Sequence, residues 1–409
     1  MKKPVIDRNR PLGLYLHIPF CQSKCAYCDF DSVAASSLDD ARAAQACYLD
    51  RLTNRVDAFG TAGLLDGVRT VYIGGGTPSL LGMRLVELVR SVMQWCAPEE
   101  FTCEANPESF TSSLALQLAR AGVTRISLGV QSLQEEELKA VGRIHSATQA
   151  LDAICYAKDA GLDVSCDLMC GLPLQTQDSW AKSVAGLIEA GPCHVSIYPL
   201  TVEDGTPLAL KVDSGRLVLP DEDEQADEME LARRFLVEAG FAPYEVASYA
   251  LPRHACRHNI AYWTGIEYLG LGRSAASMLS RDTFRMSSSL FSDLAPRDGA
   301  ARIRVLQTDD AASAFEIEQL DIREAMAEDL MLACRMTRGI PQELLLRASA
   351  VFGKQIVADT CARAIELGLA TWGAPDGENY VDASSGGVDL FPGALAPTQQ
   401  GWLEGNELF

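Results

Sequence analysis

One segment near the amino end carries the strongest structural signal in this chain: Leu14-Tyr-Leu-His-Ile-Pro-Phe-Cys21-Gln-Ser-Lys-Cys25-Ala-Tyr-Cys28. Residues Leu14–Ile18 are mostly apolar and predict a buried β-strand, and three cysteines follow on the loop after it. Cysteine thiolates are soft ligands for iron–sulfur clusters and for zinc. Structural zinc usually takes four ligands in paired spacings, and no fourth cysteine lies close by. The triplet therefore favours a cluster with one open iron over zinc or buried free thiols.

Short strands and longer helical segments alternate from this point to about residue 250. Short apolar or β-branched runs predict five further strands: Thr70–Ile73, Phe101–Glu104, Arg125–Val130, Val164–Met169 and His194–Tyr198. The segments between and after them predict six helices: Asp40–Val56, Arg84–Trp95, Thr111–Ala121, Ala147–Ala160, Gln177–Glu189 and Asp221–Ala239. Six consecutive βα units predict an α/β fold with a parallel sheet, open or closed. In such sheets function lies at the carboxyl ends of the strands.

The pattern changes after about residue 250. Residues Asp282–Leu306 are polar and irregular and predict a long loop. Three helices and a hairpin are predicted beyond it: Glu328–Met336, Gln342–Phe352, Lys354–Leu367, then Leu369–Trp372, the turn Asp376-Gly377 and Tyr380-Val381. This order predicts a smaller α+β, winged-helix-like domain, without the basic recognition helix that DNA binding needs. We therefore divide the chain into residues 1–250, a connecting region 251–310 and a C-terminal domain 311–409.

Composition excludes several classes of function. The 409 residues include 35 Lys and Arg against 55 Asp and Glu, a formal charge of −20, which argues against nucleic acid as the main partner. No apolar run is long enough for a membrane span, and no secretory signal is visible, so we expect a cytoplasmic protein whose membrane association, if any, is transient. The 13 scattered cysteines do not suit a disulfide framework and predict thiols that are free or metal-bound.

The triplet C-x-x-x-C-x-x-C after a first strand, followed by βα repeats, resembles the radical S-adenosylmethionine (SAM) enzymes. Other segments are similar to the coproporphyrinogen oxidase-like branch of that superfamily: Tyr15-Leu-His17-Ile-Pro-Phe20-Cys21, Cys28-Asp-Phe30, Gly74-Gly-Gly-Thr-Pro-Ser79, Glu104-Ala-Asn106-Pro107, Gly129-Val-Gln131-Ser132, Gly142-Arg143-Ile-His145, Asp167-Leu-Met169, Gly171-Leu-Pro173 and Tyr198-Pro-Leu-Thr201. The resemblance implies a partial (β/α)6 barrel. It also implies a [4Fe-4S] cluster on Cys21, Cys25 and Cys28, SAM on the open iron, and an electron donor such as a flavodoxin.

Glycines and polar residues at the predicted strand ends match the SAM-binding segments of that branch. Glycines let backbone approach a ligand closely, and polar groups at a barrel mouth suit a ribose. The resemblance assigns Gly75, Gly76 and Thr77 to the methionine amino group, Glu104 and Gln131 to the ribose, Arg143 to the carboxylate, Asp167 to the same pocket, Tyr27 to the adenine and Tyr15 to the sulfonium. Taken singly, each residue is also compatible with a tight turn, a cap or core packing.

The segment His258-Asn259-Ile-Ala-Tyr262-Trp263 matches an H-N-x-x-Y-W motif of the heme chaperones in that branch. His and Tyr ligate heme iron, and Trp and Tyr stack on porphyrins, so His258 is a candidate heme ligand, with Cys256 as another. The alternative is a hydrogen-bonded structural corner. A family histidine after this motif is replaced here by Ala276.

Three functions compete within this resemblance: a heme chaperone that delivers heme to apo-proteins, an oxygen-independent coproporphyrinogen III oxidase, and a radical enzyme acting on another substrate such as RNA. Three features favour the chaperone. Only 20 residues precede Cys21, Phe30 stands where the oxidases usually carry a further cysteine, and the H-N-x-x-Y-W motif is complete. The acidic charge weighs against RNA.

Overall fold

The computed structural model describes residues 12–35, 40–291, 295–373 and 391–403. The strands in these ranges are β1 (Leu12–Ile18), β2 (Phe20–Cys21), β3 (Val33–Ala34), β4 (Val68–Gly75), β5 (Glu100–Ala105), β6 (Arg125–Gln131), β7 (Asp163–Cys170), β8 (His194–Pro199), β9 (Ala242–Pro243), β10 (Ser248–Ala250), β11 (Tyr268–Leu271), β12 (Ala276–Ser280), β13 (Arg302–Gln307), β14 (Phe315–Leu320), β15 (Ala370–Trp372) and β16 (Leu395–Pro397). The helices are α1 (Ala41–Thr61), α2 (Met83–Met93), α3 (Ser112–Ala121), α4 (Glu135–Ala140), α5 (Ala147–Asp159), α6 (Gln177–Ala190), α7 (Pro207–Asp213), α8 (Glu222–Glu238), α9 (Arg257–Trp263), α10 (Arg281–Phe291), α11 (Ile322–Ala333), α12 (Gln342–Phe352), α13 (Lys354–Glu366) and α14 (Gln399–Leu403).

The six predicted βα units are all present. Strands β1, β4, β5, β6, β7 and β8 lie side by side in chain order, and each neighbouring pair is parallel. The sheet continues past both ends of this set, because β11 pairs with β1 and β10 pairs with β8. The six strands therefore form an open, partial barrel, as expected, within a larger mixed sheet of twelve strands.

Alternating residues give the barrel strands two different faces. One set, which includes Phe101, Ile126 and Leu128, packs in the large apolar core with the surrounding helices. The opposite set is polar, and within it Asp167 bonds to the side chains of Ser127 and Ser196. The barrel interior is thus built to hold polar groups, and it opens at the carboxyl ends of the strands where the cysteine triplet lies.

The prediction of a long loop over residues 282–306 is wrong. Residues Arg281–Phe291 form α10, and Arg302–Gln307 form β13 in the middle of an antiparallel extension of the sheet. Helix α10 buries Phe284, Ser287 and Phe291. Because one of these buried positions is a polar serine, the helical spacing of apolar residues is not evident in the sequence. In strand β13, half-buried arginines alternate with the buried residues Ile303 and Val305. This alternation is typical of a strand, but the arginines make the segment resemble a polar loop.

The C-terminal part contains the predicted helices followed by an antiparallel strand pair. Helix α11 begins at Ile322, earlier than expected, because Asp321 and Glu324 form a capping box. Strand β15 pairs with β16, while the predicted turn Asp376-Gly377 and strand Tyr380-Val381 lie outside the described residues. These helices and strands share a second hydrophobic core, formed by residues between Met326 and Leu395.

Candidate functional site

The cysteine triplet lies on a loop that is hydrogen-bonded to two other segments of the chain, those of Val141 and Leu208. Ala26 N–H donates to the Val141 carbonyl at 2.9 Å, and the Ala26 carbonyl accepts from Leu208 N–H at 2.8 Å. Cys21, Cys25 and Cys28 are each half-buried. Burial raises the pKa of the Cys28 thiol, and the nearby Cys25 and Cys21 thiols raise it further. The three cysteines therefore lie on one partly exposed loop, with the Cys21 and Cys25 thiols near enough to Cys28 to raise its pKa.

The glycine-rich segment after β4 packs directly against this loop. Gly76 N–H donates to the Ile18 carbonyl at 2.8 Å, and Thr77 N–H donates to the Phe20 carbonyl at 2.7 Å. A Cβ atom on Gly76 would lie 3.0 Å from the Cys21 sulfur. Gly75 has a φ of 115°, which favours glycine, and a Cβ there would collide with the His17 ring.

Glu104, at the end of β5, turns its carboxylate toward the same segment. Its Oε2 accepts from Gly75 N–H at 3.0 Å, and its Oε1 accepts from the Tyr72 hydroxyl at 2.8 Å. Burial raises the pKa of Glu104 to about 7, against the lowering effect of these two hydrogen bonds. The carboxyl group is therefore poised between its neutral and charged forms near neutral pH.

Arg143 connects the cysteine loop to the ends of β5 and β6. Its Nη1 donates to the Cys25 sulfur at 3.5 Å, and its Nη2 donates to Asn106 Oδ1 at 2.9 Å and to the Gly129 carbonyl. Asn106 in turn donates to the Thr77 hydroxyl at 3.0 Å. A half-buried guanidinium therefore lies beside the cysteine triplet, with Asn106 joining it to the glycine-rich segment.

Gln131 and Asp167 complete the ring of polar residues at the strand ends. Gln131 has a left-handed backbone with a φ of 66°, at a bulge where β6 shifts register against β7. Such a conformation is unusual for a residue other than glycine, and strained residues of this kind cluster at ligand sites. Burial raises the pKa of Asp167 to about 6, opposed by hydrogen bonds from Ser196 and Ser127 and by the charge of Arg143.

The two predicted tyrosines occupy different surroundings. The Tyr15 hydroxyl lies 2.9 Å from His17 Nδ1, and its ring stacks on Tyr72 at 6.3 Å between centroids. Tyr27 packs against a small apolar cluster beside the cysteine loop and hydrogen-bonds with Cys25. Tyr15 thus lies on the Glu104 side of the strand-end region, and Tyr27 lies on its Arg143 and Cys25 side.

An aromatic cavity of about 370 Å³ adjoins this region. Tyr15 and Tyr72, which lie beside Glu104, also form one wall of the cavity. The other walls come from β8, α9, β11 to β13 and α11, through Tyr198, His258, Asn259, Tyr262, Trp263, Tyr268, Met278, Arg304, Glu328 and Leu332. The H-N-x-x-Y-W motif therefore lines a cavity that shares a wall with the strand-end polar residues.

His258 is buried at this wall. Its Nδ1 lies 2.9 Å from the Thr70 hydroxyl, and its ring stacks on Tyr72. Burial lowers the pKa of His258 to about 3, so the imidazole is neutral. Its Nε2 has no hydrogen-bond partner among the described residues and is almost fully covered.

The structure adds residues that sequence reasoning missed. Arg273, in the turn between β11 and β12, makes two hydrogen bonds of 2.7 Å to Asp31 just after the cysteine loop. Their sequence separation of 242 leaves no local signal for this pair. Asn106 stands in a quoted motif, and only the structure shows that it bridges Thr77 and Arg143.

Residues 15–185 match the Radical SAM superfamily. The chain is 35% identical over 360 residues to the heme chaperone HemW of Mycobacterium tuberculosis. This alignment covers 86% of this chain and 88% of that protein. It is 40% identical over 273 residues to the heme chaperone HemW of Escherichia coli, in an alignment that covers 65% of this chain and 69% of that protein. The chain belongs to the HemW family of radical SAM proteins.

A solved structure agrees with this assignment at the level of the fold. Coproporphyrinogen III oxidase (HemN) from Escherichia coli, a radical SAM enzyme, matches with a TM-score of 0.72 and 19% identity, covering 97% of this chain and 88% of that chain. Radical SAM membership implies a [4Fe-4S] cluster and SAM. The HemW-family residues fit this implication, because three thiols share one loop and Gly76 leaves open the space beside Cys21 that a Cβ would fill. No helix in the described ranges combines the length and apolarity needed to cross a bilayer.

Proposed function

We propose that this HemW-family chain is a heme chaperone that carries a [4Fe-4S] cluster and SAM, binds heme, and delivers it to apo-proteins. The structural observation that carries the proposal is the aromatic cavity, because the complete H-N-x-x-Y-W helix lines it beside the candidate SAM residues. The identity to curated heme chaperones over most of the chain supports the same function. The relation to HemN is one of fold and favours no second function.

Cys21, Cys25 and Cys28 are the proposed cluster ligands. These three cysteines would hold a cluster with one iron open for SAM, and the bound, reduced cluster would supply an electron for cleavage of the sulfonium. The proposed SAM-binding residues surround this point at the strand ends: Tyr15, Tyr27, Gly75, Gly76, Thr77, Glu104, Gln131, Arg143 and Asp167. Arg143 is a half-buried cation suited to a ligand carboxylate, and Glu104 accepts hydrogen bonds.

The aromatic cavity is the proposed heme site. Tyr262, Trp263 and Tyr268 offer flat apolar surfaces to a porphyrin, and Arg304, which also lines the cavity, is paired with Glu328 and Glu318. His258 is the proposed iron ligand, since its imidazole is neutral and its Nε2 makes no hydrogen bond with the described residues. Because Nε2 is covered, ligation requires the cavity wall to open. Ala276, on β12, replaces the family histidine, so iron ligation here depends on other residues.

The proposed partners are heme, heme-accepting apo-proteins and an electron donor such as a flavodoxin. A three-cysteine cluster with an open iron is sensitive to oxygen, which supports a reducing compartment such as the cytoplasm.

Two assays on one anaerobically reconstituted sample test the function. We expect stoichiometric binding of hemin and its transfer to an apo-protein, with no turnover of coproporphyrinogen III. Catalytic formation of protoporphyrinogen IX would contradict the chaperone function and favour the oxidase.

The cluster is tested by Cys25→Ala. This change leaves two of three thiolate ligands, so we expect loss of the cluster absorbance and of bound iron, with the far-UV circular dichroism of the barrel retained. Cys155→Ser, on the exposed face of α5, is the matched control and should keep full iron content. An unchanged cluster spectrum in Cys25→Ala would refute the ligand assignment.

A further inference from the structure

Three different metal-ligating side chains meet at the amino-terminal end of the barrel strands, opposite the cysteine triplet. Asp163 begins β7, Cys193 directly precedes β8, and His254 lies on the loop between β10 and α9. One ligand atom from each residue lies within 4.8 Å of the other two. The proposed function uses none of these residues.

Backbone hydrogen bonds hold the three segments together. Cys193 N–H donates to the Val164 carbonyl at 3.0 Å, and the Cys193 carbonyl accepts from Leu251 N–H at 3.0 Å. His254 Nδ1 lies 3.1 Å from Asp163 Oδ2. The side chains of Asp163 and His254 are 41% and 37% exposed, so an ion can enter from solvent.

We propose that Asp163, Cys193 and His254 form a zinc-binding site with three protein ligands. Zinc binds sulfur, imidazole nitrogen and carboxylate oxygen at about 2.0–2.3 Å, which places its ligands about 3–4 Å apart, so small side-chain rotations suffice. Magnesium and calcium prefer oxygen ligands alone. The Cys193 thiol releases its proton to solvent on binding. The thiolate and the carboxylate then balance the two positive charges of the ion, and water fills the fourth position.

The nearest cation is Arg125, whose Nη2 lies 3.6 Å from Asp163 Oδ2 and donates to the His254 carbonyl at 2.8 Å. Arg125 also pairs with the buried Glu100 carboxylate, with Nε at 3.6 Å from Oε2. Glu100 therefore balances the guanidinium charge and leaves the Asp163 charge for the metal. The hydrogen bond to the carbonyl also helps to fix the backbone of His254.

The site would act on the cavity from outside the barrel. The loop that carries His254 leads within three residues to Arg257, the first residue of α9, and α9 presents the H-N-x-x-Y-W side chains to the cavity. A metal that joins this loop to β7 and β8 would therefore restrict the movement of α9. Since the site uses none of the proposed heme or SAM residues, zinc binding can be tested independently of the proposed function.

The test uses cluster-reconstituted protein equilibrated with zinc and then freed of excess metal. We expect about one zinc per chain at unchanged iron content, and zinc-edge X-ray absorption should show one sulfur at about 2.3 Å with nitrogen and oxygen ligands at about 2.0 Å. Cys193→Ser and His254→Gln should each lower zinc affinity at least tenfold and keep the iron content, while the control Cys155→Ser should change neither.

Thermal unfolding provides a second readout. Zinc should raise the melting temperature of the wild-type chain and not that of His254→Gln, because a ligand stabilises only the state that binds it. His254 is partly exposed, so this variant should fold even where Cys193→Ser does not. A zinc content near zero, a zinc spectrum with three sulfurs, or equal zinc binding by His254→Gln would each overturn the proposal.

Discussion

At the scale of single residues, Gly76 shows how a missing side chain shapes the site. A Cβ atom there would lie 2.6 Å from the Phe20 carbonyl oxygen and 3.0 Å from the Cys21 sulfur. The Phe20 oxygen cannot yield easily, because it also accepts a 2.7 Å hydrogen bond from Thr77 N–H. The requirement for glycine therefore comes from close packing against the cysteine loop.

We expect Gly76→Ala to push the cysteine loop away from β4 and to lower both cluster occupancy and SAM affinity at least tenfold. Iron analysis after anaerobic reconstitution and equilibrium binding of SAM measure the two effects. Gly393→Ala is the matched control, since a Cβ there meets nothing within 4 Å. Normal iron content and SAM affinity in Gly76→Ala would show that the loop has room for a methyl group.

Glu104 is a proposed SAM-binding residue, and we expect it to make SAM affinity dependent on pH. Because burial raises the pKa of Glu104 to about 7, the carboxyl is mostly protonated at pH 6, whereas its charged form accepts ribose hydroxyls and favours the cationic sulfonium. We expect SAM to bind up to about tenfold more weakly at pH 6 than on the plateau above pH 8.

In the protein without SAM, the effect of Glu104 on folding stability has the opposite pH dependence. The folded state holds this proton longer, so the contribution of Glu104 to stability falls as pH rises from the ordinary value of 4.5 through about 7.

The measurement is the dissociation constant of SAM across this pH range on the cluster-loaded protein. Glu104→Gln should bind weakly and lose the part of the pH dependence that the wild type shows near pH 7. Glu108→Gln should keep it, because Glu108 has a lowered pKa and stays charged throughout. An identical pH profile in Glu104→Gln would assign the titration to another group.

At the scale of secondary-structure elements, the cysteine loop is fixed at both ends. Its start is bonded to the segment after β4, and its end is held by the Asp31–Arg273 pair to the turn between β11 and β12. Tyr48 of α1 ties these parts together, because its hydroxyl donates to the His17 carbonyl at 2.7 Å and accepts from Arg273 N–H at 3.2 Å. Elements added after the barrel thus stabilise the loop that carries the cysteines.

Arg273→Ala should shorten the lifetime of the cluster in air and lower the free energy of unfolding by about 1 kcal/mol, because it removes a partly buried bidentate pair. Cluster absorbance over time and urea unfolding measure these effects. Arg84→Ala, which breaks a more exposed pair with Asp50, should cost less than about 0.5 kcal/mol and leave the cluster lifetime unchanged. Equal cluster lifetimes in the two variants would remove the role assigned to Arg273.

The sequence is sufficient to predict those helices and strands in which apolar residues recur at the spacing of a helix or a strand. Strands β1 and β4 to β8 are buried on both sides and appear as short apolar runs, and the predicted cluster and SAM residues follow from their ends. Strands β13 and β14 were not predicted, since arginine and glutamate alternate with their apolar residues. The Asp31–Arg273 pair could not be predicted, because only the folded sheet brings β11 beside β1.

At the scale of the whole molecule, the aromatic cavity depends on parts distant in sequence. Tyr15 and Tyr72 come from the barrel, Arg304 from the antiparallel extension, and Leu332 from α11, whose C-terminal half also packs in the second core. A truncated barrel and a separate C-terminal fragment would each lack one wall of the aromatic cavity. Heme binding is therefore expected to require the assembled chain, whereas cluster binding requires the barrel end and the elements that clamp its loop.

Leu332→Trp tests this division within the intact protein. The larger side chain should fill part of the cavity and weaken hemin binding at least tenfold, while iron content and SAM affinity stay at wild-type values, because the three cysteines, the glycine-rich segment, Glu104 and Arg143 do not line this cavity. Met331→Trp is the matched control, since Met331 is exposed on the same helix and does not line the cavity. Hemin titration followed by Soret absorbance gives the comparison. Equal hemin affinity in the two variants would place heme elsewhere, and a joint loss of hemin and SAM binding in Leu332→Trp would mean that the cavity and the SAM site respond as one unit.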